Sequence, residues 1–282
     1  MTTRRPVLRL RVGAPDGAGG TERADTLAVE EPLEIRLAHA GAPDGEPFTV
    51  TMRTPGHDLE LALGFLLTDG VISAPGDVTS ARHCPDAARD ADGNPTHNVV
   101  EVGLARHVAI PSRALSRRVS SACGICGTES IEAVRARCGT TLAADDVRLD
   151  PAVLAGLPEA LRAGQRAFAR TGGVHAAGLF TPAGDLLCLR EDVGRHNAVD
   201  KVVGWALQHD RLPLAGLVLQ VSGRASFELA QKAVSAGCPV LAAVSAPSSL
   251  AVDLALDTGL TLIGFSRGQG FNIYAGDGRI RR

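Results

Sequence analysis

Leu217-Val218-Leu219-Gln220-Val221, Val240-Leu241-Ala242-Ala243-Val244 and Leu260-Thr261-Leu262-Ile263-Gly264 are three short apolar runs, and helical patterns at Phe227 to Ala236 and Leu250 to Leu256 separate them. Continuous apolar strands joined by helices of about ten residues predict a mostly parallel sheet, because such crossovers lay helices over both faces. Working back from this stretch, His196 to Gln208 predicts a helix, and Val174 to Thr181 with Asp185 to Leu189 a hairpin across Pro182-Ala183-Gly184. Pro151 to Arg170 reads as one long amphipathic helix stopped by Gly172-Gly173. Residues 128–282 are therefore expected to form an α/β unit.

The first part of the chain has another rhythm. Pro6 to Val12, Leu33 to Leu37 and Phe48 to Met52 alternate apolar with polar residues and read as strands. Gly13 to Asp25 reads as a flexible link. Asp58 opens an apolar helix over Leu59 to Leu67, Pro75 to Thr96 is loop-like, and Asn98 to Leu104 returns as a strand. These features predict a β-rich unit over residues 1–115, partly flexible over 1–25, and then a loop over 116–127.

Composition sets bounds. The 282 residues are 45% apolar and 3% aromatic, so the core must come from Ala, Val, Leu and Ile. A formal charge of −2 gives no basic field to attract nucleic acid. Lys201 and Lys232 are the only lysines. The paired Arg4-Arg5 is followed by no apolar segment, and no run approaches the ~18 residues of a membrane helix. A cytoplasmic protein without nucleic-acid or membrane partners is expected. Of six cysteines, Cys138, Cys188 and Cys238 read as small apolar residues, and Cys84 has no partner at ligand spacing.

In such a sheet the loops after the carboxyl ends of strands gather at one edge, where ligands bind. Ser222-Gly223-Arg224-Ala225-Ser226, Ser245-Ala246-Pro247-Ser248-Ser249 and Phe265-Ser266-Arg267-Gly268-Gln269-Gly270-Phe271-Asn272 are expected there. Small residues let a ligand approach the backbone, helix N-termini present free N–H groups, and Arg224 and Arg267 suit phosphate. Ser226 and Ser248 have a plainer reading as helix caps.

The most reactive stretch by residue type is Cys123-Gly124-Ile125-Cys126-Gly127. Two thiols at this spacing can share a metal, close a disulfide or pass sulfur. A structural zinc site needs about four ligands, and no second pair stands at finger spacing. A thioredoxin-like exchanger would place the pair after an apolar strand, whereas Ser112 to Arg118 is polar and basic. Thr128 as a helix cap, with Glu129 and Glu132 behind it, would put Cys126 near a positive helix end, and Arg117 and Arg118 add charge upstream. Both effects favour thiolate.

Four segments then combine: Thr54-Pro55-Gly56-His57-Asp58 before Leu61 to Leu66; Cys123 to Gly127; Arg190-Glu191-Asp192-Val193-Gly194-Arg195-His196-Asn197-Ala198-Val199-Asp200-Lys201; and Ser222-Gly223-Arg224 through Lys232. Their order and spacing resemble the FdhD/NarQ family of formate dehydrogenase accessory sulfurtransferases, from about residue 26 onward. Gly13 to Asp25 and Pro85 to Pro95 look like local insertions. The resemblance implies an α/β fold with a cytidine-deaminase-like three-layer C-terminal domain, a smaller β-rich N-terminal domain, and a homodimer. It implies a sulfur carrier, with Cys123 as the persulfide cysteine and Cys126 assisting. Sulfur would come from an IscS-type cysteine desulfurase and pass to a molybdenum bis(molybdopterin guanine dinucleotide) cofactor for the formate dehydrogenase apoenzyme. Phe265, Ser266, Arg267, Gly268, Gln269 and Gly270, with Ser222, Gly223, Arg224 and Ser245, would bind that cofactor, and GDP would be its minimal mimic.

Zinc deaminases, the related rival, need H-x-E followed by P-C-x-x-C. His175 is suitably placed, but Ala177 stands where the Glu belongs, and the cysteines come before the histidine. No metal site is expected. An escort that binds the cofactor without persulfide chemistry is the other alternative. The Glu191 to Lys201 block reads as ligand pocket, dimer contact or internal pairing.

Overall fold

The computed structural model describes residues 2–10, 20–39, 45–84, 93, 95–109 and 142–282. Strands β1 (Thr2–Leu10) and β2 (Gly20–Ala28) form an antiparallel ribbon. Residues 20–25, read from sequence as part of a link, thus belong to a strand; their polar composition hides them because the ribbon is largely exposed. Strands β3 (Glu31–His39), β4 (Glu46–Arg53), β5 (Val78–His83) and β6 (Val99–Leu104) make a sheet in the order β4-β3-β6-β5, with β3 and β6 parallel. β5 was not legible as a strand, since its sequence VTSARH presents almost no apolar face. Helix α1 (Asp58–Thr68) lies between β4 and β5.

The second half holds α2 (Pro151–Gly164), α3 (Arg166–Thr171), β7 (His175–Phe180), β8 (Leu186–Asp192), α4 (Arg195–Gln208), β9 (Val218–Val221), α5 (Phe227–Ser235), β10 (Val240–Ala243), α6 (Ser249–Thr258), β11 (Thr261–Arg267) and β12 (Gly270–Ala275). The expected single helix over 151–170 is two helices. Glu191 breaks it by accepting the N–H groups of Ala167 and Phe168, each at 2.8 Å, so a carboxylate from another strand starts α3.

The six strands order as β12-β11-β10-β9-β7-β8. Only β9, β10 and β11 are mutually parallel; β7, β8 and β12 join through antiparallel pairings. The sheet is mixed, not mostly parallel, because tight hairpins flank the crossover region on both sides. Alternate strand residues bury on opposite faces. Ala176, Phe180, Val218, Val240, Ala242 and Ile263 pack with Leu154, Leu157 and Leu161 of α2. Ala177, Leu179, Leu219, Leu241, Ala243 and Leu262 pack with residues of α4, α5 and α6.

That second layer does not stop at the sheet. One continuous core joins it to α1 and to Leu33, Ile35, Val100 and Val102 of the N-terminal sheet. The joint is the α1–α4 crossing. A Cβ on Gly64 would lie 1.8 Å from the Asp200 carbonyl oxygen, and one on Gly204 1.8 Å from that of Glu60. No side chain fits there, so the two glycines set the separation of the helix axes.

This makes a paired prediction. Gly64→Ala must force the helices apart and should destabilise the protein by roughly 3 kcal/mol or more, the upper end for overpacking. Gly156→Ala, on an exposed turn of α2 where a Cβ meets nothing within 4 Å, should instead stabilise it by about 1 kcal/mol. Urea unfolding of both variants checks this. Equal effects would mean the crossing can relax.

Candidate functional site

Because β9, β10 and β11 run parallel, their carboxyl ends share one edge, and the antiparallel β7 and β8 bring His175 and Asp192 to the same edge, where they pair in register. The turns there are stitched together. Ser245 N–H donates to Gly223 O and Phe265 N–H to Ser245 O, both at 3.2 Å, and Ala225 N–H donates to Ala246 O. The three stretches read from sequence therefore meet in one row. Ser226 and Ser248 prove to be caps, accepting from Leu229 N–H and Ala251 N–H. Ser222 Oγ accepts from Ala176 N–H at 2.9 Å and braces β7.

The third stretch is not a loop. β11 continues to Arg267, only Gly268 and Gln269 turn, and Gly270 begins β12. The glycines gave a loop reading, but Gly268 supplies the positive φ a tight hairpin needs. Phe265 also has φ of 52°, a strained setting for an aromatic residue of the kind that gathers at functional sites. Arg224, Arg267, Gly268, Gln269 and Gly270 are exposed, whereas Ser266 is buried with no hydrogen-bond partner for its Oγ.

The Glu191 to Lys201 block resolves into separate jobs. Asp192, fully buried, accepts four hydrogen bonds: from Thr54 N–H, Gly194 N–H, Asn197 Nδ2 and Lys201 Nζ. It was a candidate cap for α4, but its carboxylate serves the preceding turn instead, and Gly194 caps without a side chain. Lys201 Nζ also donates to Thr54 O at 2.8 Å, and Val193 N–H to Thr54 Oγ1 at 3.1 Å. Asp200 takes Lys232 Nζ at 2.7 Å and Thr68 Oγ1 at 2.8 Å. Arg190 holds Glu60 with contacts of 2.5 and 2.7 Å. Most of the block is internal pairing, and both lysines of the chain are used in it.

Arg195 and His196 remain. They open α4 at the shared edge, next to His175. A Cβ on Gly223 would be 3.5 Å from His175 Nδ1 and 3.9 Å from Arg195 Cδ, so this glycine keeps space open between them. Arg195 Nε is buried without a partner. His196 Nε2 lies 2.6 Å from Glu228 Oε2. The His196 hydrogen bond holds the Glu228 carboxyl below its usual range. Burial, followed by the charges of Arg195 and His196, holds His175 below its usual value. Sequence reasoning treated this trio as wall or pairing residues; the signal that it missed was two basic residues in the first turn of a helix with no acid beside them, against the helix dipole.

Cys123, Cys126 and the expected helix start at Thr128 lie outside the described residues. Cys188 and Cys238 are buried, and burial pushes both thiols up to about 12, so they are inert. Among the described residues no cluster of three or more His, Cys, Asp or Glu could hold a metal, and no helix is long and apolar enough to cross a membrane. A cleft of about 1100 Å3 lies beyond the Thr54–His57 turn, against the N-terminal sheet, and none of the sequence-predicted site residues lines it.

Fold and edge define an α/β protein that offers main-chain N–H groups and arginines at the strand ends. It lacks the deaminase carboxylate, since Ala177 is buried in β7 under α4. The family model described as "FdhD/NarQ family" matches residues 28–281, and the chain belongs to that family. It is 56% identical to a protein of Streptomyces avermitilis and 51% identical to one of Mycobacterium tuberculosis, both named "Sulfur carrier protein FdhD". These alignments cover 99% and 92% of this chain and 96% and 92% of the relatives. A crystal structure from Desulfotalea psychrophila, described as that of a formate dehydrogenase accessory protein, shares the fold with a TM-score of 0.75 at 24% identity, over 99% of each chain.

The Arg190–Glu60 tie carries a pH signature. Burial raises the Glu60 carboxyl, but hydrogen bonds from Arg190 and then His57 outweigh it, leaving it at about 2 against an ordinary 4.5. A depressed folded-state value means stability that is complete above 4.5 and lost as pH falls toward 2. Glu60→Gln should therefore lower stability at neutral pH and flatten its fall across that window. Urea midpoints at stepped pH check this; an unchanged slope would remove the tie from the acid response.

Proposed function

We infer that this protein is a sulfur carrier that serves formate dehydrogenase. The observation that carries the reading is near-full-length identity of about one half to relatives named as sulfur carriers, together with the Cys123-Gly124-Ile125-Cys126 pair that a carrier needs. In this reading Cys123 thiolate attacks the outer sulfur of a cysteine desulfurase persulfide. A persulfide forms on Cys123 and the desulfurase cysteine leaves as thiolate, so no net electrons move. Cys126 can then attack Sγ of Cys123. The resulting disulfide releases the outer sulfur as hydrosulfide, and the Cys126 thiolate supplies the two electrons.

The client is a molybdenum bis(molybdopterin guanine dinucleotide) cofactor, delivered to the formate dehydrogenase apoenzyme by a cytoplasmic homodimer. Ser222 to Arg224, Ser245 and Phe265 to Gly270 are the side of the sheet proposed to bind it. Supporting this, their turns are hydrogen-bonded into one row, Phe265 is held in strain, and the buried Ser266 Oγ has no internal partner. The sheet with helices on both faces is read as the cytidine-deaminase-like domain of the family, following a β-rich domain over residues 1–115.

Cys123→Ala should abolish activation of formate dehydrogenase while leaving the thermal midpoint unchanged, and intact mass after incubation with a desulfurase and cysteine should lose the added sulfur. Full activation by this variant would favour an escort without persulfide chemistry. Cys126→Ala should still load sulfur but change the yield of active enzyme.

For the cofactor side, Arg267→Ala or Arg224→Ala should weaken GDP binding by about tenfold, the lower end for charge-assisted bonds because both arginines are exposed. Calorimetric titration reads this directly. Unchanged affinity in both variants would move the nucleotide away from the turns.

A further inference from the structure

Arg195 is oddly placed for a structural residue. It begins a helix of 14 residues whose first turn carries no acid, so its charge opposes the helix dipole. Each of the other basic side chains ending in this region has a carboxylate: Arg190 has Glu60, Lys201 has Asp192 and Lys232 has Asp200. Arg195 has no carboxylate at ion-pair distance among the described residues, and its Nε is buried without a hydrogen bond. The nearby acid on α5, Glu228, is already taken by His196 at 2.6 Å. Beside the guanidinium stand a half-buried His175 and the empty space over Gly223. A helix start with a concentrated, uncompensated positive charge and an open cradle is arranged for a compact anion.

We propose that Arg195, with His175 and the main chain at Gly223, is the seat of a phosphate-type oxyanion. The His196–Glu228 pair acts behind it by keeping the Glu228 carboxylate from neutralising Arg195. This deepens the cofactor-binding reading above by assigning the nucleotide's phosphates to Arg195 instead of leaving them to the exposed Arg224 and Arg267 alone. It does not depend on the persulfide chemistry. A nucleotide's diphosphate and free pyrophosphate share the required chemistry, so the two sources are separated by experiment.

Calorimetric titrations of the full chain with pyrophosphate, GDP and guanosine, for wild type, Arg195→Gln and Gly223→Ala, test the proposal. Wild type should bind pyrophosphate. Arg195→Gln should weaken pyrophosphate and GDP binding by about tenfold to a hundredfold while leaving guanosine unchanged. Gly223→Ala puts a methyl in ordinary contact distance of His175 and Arg195, so the fold should tolerate it while both phosphate ligands weaken. The thermal midpoint of Arg195→Gln should stay level or rise, since an unpartnered cation leaves a positive helix end.

Absent pyrophosphate binding in wild type, or equal binding in wild type and Arg195→Gln, overturns the seat, as does a sharply lowered midpoint for Arg195→Gln. Arg195-dependent pyrophosphate binding without any GDP binding upholds the seat and instead sinks the guanine-nucleotide reading. GDP binding that ignores Arg195 does the reverse.

Discussion

The carboxylate of Asp192 is the constraint on which the rest of the edge depends. It is fully buried and accepts from Thr54, Gly194, Asn197 and Lys201. An isolated charge there would be prohibitive, and a buried pair adds little net stability, but removing one partner typically costs 3–5 kcal/mol. Its effect is therefore geometric. It defines how β8 turns into α4, and it docks the Thr54 turn of the N-terminal sheet against that point. The first turn of α4, with Arg195 and His196, is aimed by this arrangement.

The α1–α4 crossing does the same on the apolar side. Gly64 and Gly204 bring two backbones into contact, and the surrounding Leu61, Val199, Val202 and Val203 close one core across both halves. The Lys232–Asp200–Thr68 bonds pin the crossing to α5. The edge is thus supported from two directions. Motion of one half would strain a close-packed crossing and a buried charge network together, so the site is preorganised, with little rearrangement required before a ligand binds.

The chemistry of the edge follows from what this framework leaves unused. Glu191, Asp192, Asp200 and both lysines are consumed internally. Arg195 Nε and Ser266 Oγ are buried yet unsatisfied, and buried polar atoms rarely stay so without a reason. Local rules are broken where α4 begins and at Phe265, and kept at Ser226 and Ser248. Such departures concentrate where a protein meets a ligand.

Much of this was legible in the sequence. Apolar runs at 218–221 and 240–243 located the central strands, the three strand-end stretches were correctly expected to converge, and the four motif segments identified the family, because each depends on residue type and spacing along the chain. Other features depended on contacts between distant segments. β2 and β5 carry too few apolar residues to show a period, and the break between α2 and α3 comes from Glu191, some 24 residues further on. The hairpin at Gly268 looks like a loop because glycine marks both. Above all, the block from Glu191 to Lys201 reads as one motif, and only the tertiary structure divides it into residues bound to internal partners and an arginine bound to none. Sequence determines which groups can ionise or bond, while the distances that decide which of them already have a partner exist only once the chain has folded.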